Sequence, residues 1–384
     1  MVRMAFAMYS TGLAGGVRAI FEVANRLRER GYDVSIVALG GDHSWFKVKV
    51  PVYYVEVPKI LAPTIKVYRM LRRMRLKGLR ASYLDVDGFV KRLGFRIDLV
   101  RALAEALWSF KLDVAIATWY PTALAVWLSD VNKKLYFMQD FPELVREVDG
   151  IYGLRLFEVT LRLPFYFLTN STFTKNLVLS YNKEAKVAVT GIGVDLNVFY
   201  PRNVRIVDPQ GKPVIMTIIR GAKFKGDDIA LKALNMVNEE LPIHAILVGR
   251  STIINKLYDQ AKPKFTYSIF EGIDDEYLAK LYSSSDVFIF TSYREGFGLP
   301  PLEAMACGTA VVTTNCGGNM DYAVDGYNTL VVPPGDPKAV AKAVLRILRD
   351  SRLKDRLIEG GIETARQRTW DKVVDIFEKV IKES

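Results

Sequence analysis

The sequence predicts an α/β protein built from two Rossmann-like, doubly wound domains facing a central cleft. Three observations predict this. The chain has 384 residues, more than one hydrophobic core usually organises. Residues 3–39 read as strand, helix, strand, the opening of a parallel sheet with helices on its faces. A second series of the same kind begins after a polar stretch that ends at Lys212.

In the first series, Arg3 to Tyr9 is strand-like and runs into the small-residue loop Ser10 to Gly16. From Val17 to Arg30, apolar residues recur at helical spacing (Val17, Ile20, Phe21, Ala24, Leu27), and Gly31 stands where a helix C-cap belongs. Val34 to Leu39 is the next strand. Asp113 to Thr118, Lys134 to Met138, Phe167 to Thr169 and Lys186 to Val189 continue the set. The uncharged run Val114 to Ser129 is interrupted by Pro121 and is too short to span a bilayer, so it reads as strand, turn and helix start.

The second series has strands at Val214 to Ile219, His244 to Val248, Val287 to Thr291 and Ala310 to Thr313. Helices are expected at Asp228 to Val237, Asp274 to Ser283, Pro301 to Ala306 and Pro337 to Asp350, with more helix in the remainder. The expected division is 1–200 for the first domain, acceptor-binding, and 201–368 for the second, donor-binding. A final helix, 369–384, carries Trp370, Val373, Ile376, Phe377 and Val380 at helical spacing.

Composition removes several classes. Two cysteines, Cys307 and Cys316, exclude a disulfide scaffold, and their spacing offers no zinc or redox motif; both read as small buried hydrophobes. Two histidines, His43 and His244, make a His-rich metal site or a Ser-His-Asp mechanism hard to build, and His244 reads as a satisfied core residue. The net charge of +11 is concentrated between Lys66 and Arg101, where eleven basic residues face Asp85, Asp87 and Asp98. Val67, Met70, Leu71, Met74 and Leu79 interleave with them. The first reading of this segment is attachment to an anionic membrane surface. A solvated helical face comes second, and nucleic acid ranks last. The N-terminal apolar run is too short for a signal peptide. The expected location is therefore cytoplasmic, with peripheral contact on the inner face of the membrane.

The most informative stretch runs from Ser292 to Gly308 and includes Glu295, Gly296, Phe297, Gly298, Leu299, Pro300, Pro301 and Glu303. It begins just after a strand, and its paired prolines suit the first turn of a helix. Gly296 and Gly298 let backbone approach a ligand closely, and the free amides of a helix N-terminus favour an anion such as a diphosphate. Carboxylates are poor phosphate binders but good acceptors for hydroxyls, so Glu295 and Glu303 suit a sugar and a ribose.

This stretch resembles the E-x7-E signature of glycosyltransferase family 4, the glycosyl transferases group 1. It continues into Gly317-Gly318, Asp325-Gly326 and Pro333-Pro334-Gly335-Asp336 with that family's spacing. The resemblance covers most of the chain and is strongest from Thr190 to Asp350. It implies the GT-B fold and a retaining, metal-independent transferase. A nucleotide-diphosphate sugar, foremost a UDP- or GDP-sugar, would be its co-substrate, with no further cofactor and no metal. By the same resemblance Glu303 binds the donor ribose, Glu295 contacts the donor sugar, and the amides of Phe297, Gly298 and Leu299 contact sugar or phosphate.

Arg220 and Lys225-Gly226 match a second motif, at the end of the second domain's first strand. Two cations there suit a pyrophosphate leaving group, whose negative charge grows as the glycosidic bond breaks. Ile219 stands where the family usually has Gly. Gly15-Gly16-Val17 resembles the family's N-terminal glycine loop, in which Gly16 lets the chain close over the diphosphate from the opposite domain. Gln139-Asp140-Phe141-Pro142 stands where many members place a His. Asp140 is the candidate for stabilising positive charge on the sugar ring or orienting the acceptor hydroxyl, with a helix N-cap as its purely structural reading. The resemblance further implies a front-face reaction, in which the leaving phosphate takes the acceptor's proton. It also suggests that the final helix crosses back onto the first domain.

The expected reaction is sugar transfer to a glycan, lipid-linked or small-molecule acceptor hydroxyl. A metal-dependent GT-A transferase has one feature in its favour, the literal DxD of Asp85-Val86-Asp87, which lies within the basic segment and not after a donor-binding strand. A nucleotide-sugar epimerase would share the same architecture, and a non-catalytic nucleotide-sugar or nucleic-acid binding protein could draw on the same fold and charge.

Overall fold

The computed structural model describes residues 2–56 and 99–383. Asp85-Val86-Asp87 and the basic segment from Lys66 lie outside them except at its end, where exposed Arg101 pairs with Glu105 at 2.7 Å. The chain forms two compact units, one of residues 1–169, 176–188 and 377–384, the other of residues 170–175 and 189–376.

In the first unit the strands are β1 (Arg3–Met8), β2 (Asp33–Ala38), β3 (Val52–Tyr54), β4 (Val114–Ala117), β5 (Lys133–Met138), β6 (Tyr166–Thr169) and β7 (Lys186–Val189). Among the described residues they make one sheet in the order β3-β2-β1-β4-β5-β6-β7. Helix α1 (Gly15–Glu29) follows β1 and buries Ala19, Ile20, Phe21, Val23, Ala24 and Leu27. It ends at Gly31 (φ +90°), where the amides of Gly31 and Tyr32 turn back to the carbonyls of Arg28 and Leu27. Helices α2 (99–109), α3 (Tyr120–Leu128), α4 (Pro142–Thr160) and α5 (Thr172–Tyr181) follow. They share a core built on Leu103, Leu107, Tyr120, Val126, Tyr136, Phe157 and Phe167.

The second unit repeats the plan. Its strands are β8 (Val214–Ile218), β9 (His244–Val248), β10 (Thr266–Phe270), β11 (Val287–Phe290), β12 (Ala310–Thr314) and β13 (Leu330–Val332). They pair in the order β10-β9-β8-β11-β12-β13, parallel throughout. Its helices are α6 (Asp227–Glu240), α7 (Ser251–Ala261), α8 (Asp275–Ser283), α9 (Leu299–Ala306), α10 (Pro337–Arg349), α11 (Ser351–Arg366) and the start of α12 (Trp370–Lys382), whose residues from Phe377 onward belong to the first unit. Every residue of β9 and β12 is buried, as a strand covered by helices on both faces requires, and this is why these strands read as unbroken apolar runs.

In each sheet the order reverses once, between β1 and β4 in the first and between β8 and β11 in the second. At such a switch point the two carboxyl-end loops part in opposite directions and leave a crevice for ligands. The loops placed there are 9–14 after β1, 118–119 after β4, 219–226 after β8 and 291–298 after β11.

Candidate active site

The two switch-point loops of the second unit are tied to one another through their backbones. The Tyr293 amide donates to the Phe224 carbonyl at 2.7 Å, and the Thr291 hydroxyl donates to the Gly226 carbonyl at 2.8 Å. Gly226 is left-handed (φ +66°), and a Cβ there would lie 2.2 Å from the Thr291 carbonyl oxygen, so only glycine allows this approach. The 291–298 loop is held on its other side as well. The Glu295 amide donates to the Cys316 carbonyl at 2.7 Å, and the Gly318 amide donates to the Glu295 carbonyl at 3.1 Å.

These ties bring Lys225 and Glu295 together, Nζ to Oε1 at 2.7 Å. The same Oε1 accepts from the Ser292 hydroxyl at 2.7 Å. Glu295 is 8% exposed, so its charge is held by a cation and a hydroxyl largely out of solvent. Arg220, on the β8 loop, is exposed. Its amide and that of Gly221 donate to Asp227 Oδ2 at 3.0 and 2.6 Å.

Gly298, at φ +79°, is the N-cap of α9, and its carbonyl accepts from the Tyr322 hydroxyl. Pro300 and Pro301 carry no N–H, so the backbone donors at this end of α9 are the amides of Gly298 and Leu299. Leu299 opens that helix. The Phe297 ring is buried, packing on Tyr322 with centroids 5.3 Å apart, so its backbone is the part that can meet a ligand. Glu303, in the first turns of α9, is buried and accepts from the Tyr282 hydroxyl at 3.3 Å. Ser292 opens the stretch singled out in the sequence but carries no assigned part there, and Asp227 and Tyr282 carry no mark that points to this site. Only a three-residue offset links Ser292 to Glu295, and the other two act across the fold.

Gly16 and Asp140 lie in the first unit. The Gly16 carbonyl accepts from Gln139 Nε2 at 3.1 Å, and a Cβ on Gly16 would meet Gln139 Oε1 at 3.5 Å. Asp140 is buried, and its Oδ2 accepts from the Tyr136 hydroxyl at 3.1 Å. Burial pushes the Asp140 carboxyl well above the usual carboxylate range, against the Tyr136 bond, which pulls it down. Burial here disfavours the charged form relative to an exposed aspartate.

The remaining titratable residues behave as core. Both cysteines are buried, and burial raises the Cys307 thiol to about 12, so it carries no thiolate at neutral pH. His244 is buried, with Nδ1 3.1 Å from the Thr266 hydroxyl and Nε2 3.0 Å from that of Ser268. No helix among the described residues is long and apolar enough to cross a membrane.

Comparison with known proteins agrees with this geometry. Residues 203–364 match the family model for glycosyl transferases group 1. The D-inositol 3-phosphate glycosyltransferase of Thermomonospora curvata is 26% identical, over 95% of this chain and 90% of its own. The N,N'-diacetylbacillosaminyl-diphospho-undecaprenol alpha-1,3-N-acetylgalactosaminyltransferase of Campylobacter jejuni is 24% identical, over 74% of this chain and 78% of its own. Among solved structures, sucrose-phosphate synthase from Thermosynechococcus elongatus superposes with a TM-score of 0.78 at 19% identity, covering 99% of this chain and 98% of that one. Anabaena HepE, solved with UDP and glucose, gives 0.75 at 17% identity over 100% of both chains. The fold is GT-B, and residues 203–364 of this glycosyltransferase match the glycosyl transferases group 1.

Proposed function

We propose that this glycosyltransferase binds a UDP- or GDP-sugar in its second unit and moves the sugar, without a metal ion and with retention, onto an acceptor hydroxyl. The observation that carries the reading is the Lys225–Glu295 pair at the switch point between β8 and β11. One loop supplies cations for a diphosphate, and the other supplies a carboxylate for hydroxyls.

Arg220 and Lys225 neutralise the diphosphate, and the α9 amides of Gly298 and Leu299, with that of Phe297, meet phosphate or sugar. Glu303, steadied by Tyr282, takes the ribose hydroxyls, and Glu295 takes the donor sugar. Donor binding shifts Lys225 from Glu295 towards phosphate, which frees a carboxylate lone pair for a sugar hydroxyl. As the bond to the anomeric carbon breaks, negative charge grows on the leaving phosphate, and cations fixed beforehand stabilise it at little reorganisation cost. The acceptor attacks on the face the phosphate leaves, and that phosphate receives the acceptor's proton. The protein's part is positioning and charge stabilisation.

Gly16 is assigned to the diphosphate side of the first unit. Asp140 is assigned to fixing the end of β5 through Tyr136. For the acceptor we favour a lipid-phosphate-linked glycan. Support comes from the charge of the Lys66 to Arg101 segment, which suits the inner face of an anionic membrane, and from the Campylobacter relative, whose acceptor by name is a diphospho-undecaprenol.

The test is a panel of UDP-, GDP-, ADP- and dTDP-sugars, read by thermal shift with chelator present. A large shift with one donor, chelator notwithstanding, is the expected result. Silence across the panel, or a shift that chelator abolishes, overturns the metal-independent donor site.

A further inference from the structure

The donor motif read from the sequence stops at Gly226, but the geometry of its loop depends on the next residue. Asp227 is the first residue of α6 and is 6% exposed. One carboxyl oxygen, Oδ2, accepts both the Arg220 amide at 3.0 Å and the Gly221 amide at 2.6 Å. The side chain thus reaches back over its own loop and closes the turn in which Arg220 sits. Gly221 in that turn has φ +81°, and a Cβ on it would lie 3.0 Å from Ile253 side-chain carbons. The turn is therefore confined by α7 on one side and by Asp227 on the other.

We propose that Asp227 is a positioning residue for the donor site. Resting on the donor-site reading above, it fixes the backbone of Arg220 so that the guanidinium is already aimed at the diphosphate. A carboxylate at the start of a helix is favoured by the helix dipole. Burial pushes the Asp227 carboxyl up, while the Gly221 and Arg220 amides and then the Lys225 and Arg220 charges pull it back. The carboxylate is thus both held by the loop and needed by it. Deleting it takes away the acceptor that both amides of the turn share. Asn keeps one oxygen of the same reach and should keep the turn.

The test compares D227A and D227N with the wild type in two readouts. In hydrogen exchange, the Arg220 and Gly221 amides are expected to be protected in the wild type and in D227N. In D227A they should exchange at least about tenfold faster. In steady-state transfer with UDP-glucose and GDP-mannose as probe donors, donor KM should rise about tenfold in D227A, with kcat much less affected, and D227N should recover most of the loss. Wild-type exchange and KM in D227A, or D227N as impaired as D227A, overturns the proposal. If D227A does not fold, the wild type alone decides, because unprotected Arg220 and Gly221 amides in the native protein exclude the turn described. The exchange readout needs no donor. A protein that uses neither probe but protects both amides counts against the donor reading and leaves the closed turn standing.

Discussion

Lys225 and Glu295 meet at 2.7 Å, Nζ to Oε1, from loops that follow the two strands flanking the switch point of their sheet. Opposite charges set in contact before a substrate arrives make each residue dependent on the other. The pair is largely buried, with 25% and 10% of the two side chains exposed, so desolvation offsets much of the attraction and its net contribution to folding is small. Its value lies in where it places a cation and a carboxylate.

Lys225→Ala and Glu295→Ala are accordingly expected to fold normally and to lose about 10²–10³-fold in kcat, the loss typical of removing one preorganised charge-stabilising group. Combining them should cost less than the product of the single losses, because each alone leaves the other partner uncompensated. Steady-state transfer alongside circular dichroism checks this. Single variants that turn over at wild-type rates would remove both residues from the site.

Asp140 predicts the opposite pattern. An acid whose folded pKa is raised binds its proton more tightly in the fold. The stability it contributes is present at low pH and falls as pH rises through the folded value. Asp140→Asn keeps an acceptor for Tyr136 and removes this dependence, so its stability at neutral pH should equal or exceed the wild type's, with transfer retained. Asp140→Ala leaves the buried Tyr136 hydroxyl without that acceptor, at a cost of about 1–3 kcal/mol. Urea unfolding at several pH values and a transfer assay decide. A folded Asp140→Asn without activity would establish a catalytic carboxylate.

Which features were legible in the sequence follows from burial. The strands it revealed at the centre of each sheet, such as β1, β9 and β12, are covered on both faces and spell apolar runs. The strands it missed, β3, β10 and β13, are all sheet edges. Thr266 to Phe270 in β10 is half-exposed, and its polar Thr266 and Ser268 point at His244. No periodicity marks such a strand, because its partner and not its own sequence defines it. The site divides in the same way. Glu295, Glu303, Arg220 and Lys225 stand in a linear motif. Asp227 and Tyr282 are known only by what they touch, two amides on the far side of a loop and a carboxylate 21 residues away.

His244 supplies a pH test. Burial, and next to it Lys212, lower its pKa, so the fold favours the neutral ring. Below about pH 6.5, the unfolded value, the unfolded chain binds a proton that the folded ring resists, and stability falls with pH until the folded value is passed. His244→Gln, which keeps polar contacts for Thr266 and Ser268, should lose that part of the slope below about pH 6.5. Identical slopes in both proteins would show that the ring titrates freely.

Gly318→Ala tests the backbone clamp on Glu295. A Cβ at Gly318 would lie 1.8 Å from the Gly296 carbonyl oxygen and 2.8 Å from Phe297 Cα, so the 295–298 loop must move. The expected outcome is a marked fall in both Tm and donor binding. Gly211→Ala is the control. Gly211 also has positive φ (+81°), but nothing lies within 4 Å of its Cβ position. It should lose only about 1 kcal/mol of stability from backbone strain, with transfer intact. If Gly318→Ala behaves like Gly211→Ala, the close approach does not restrain the loop.

Phe377 tests how the last residues of the chain serve the first unit. Its ring is fully buried, 5.0 Å from Phe137 and 6.4 Å from Phe6 between centroids, so two central strands rest on it. The same end of the chain is fastened by charge. Lys133 Nζ donates to the carbonyls of Val380 and Ile381 at 2.6 Å each, the favourable placement of a cation at a helix C-terminus, and Arg30 pairs with Glu378 at 2.6 Å. These bonds fix the direction of the segment, while the aromatic burial supplies most of the free energy. Phe377→Ala should therefore destabilise the first unit by about 3–5 kcal/mol, whereas Lys379→Ala, at an exposed position, should change little. Urea unfolding followed by tryptophan fluorescence reads the difference, since Trp108, Trp119 and Trp127 all lie in that unit. Equal midpoints for the two variants would mean that the ring adds nothing to the core, and that the electrostatic contacts alone hold the segment in place.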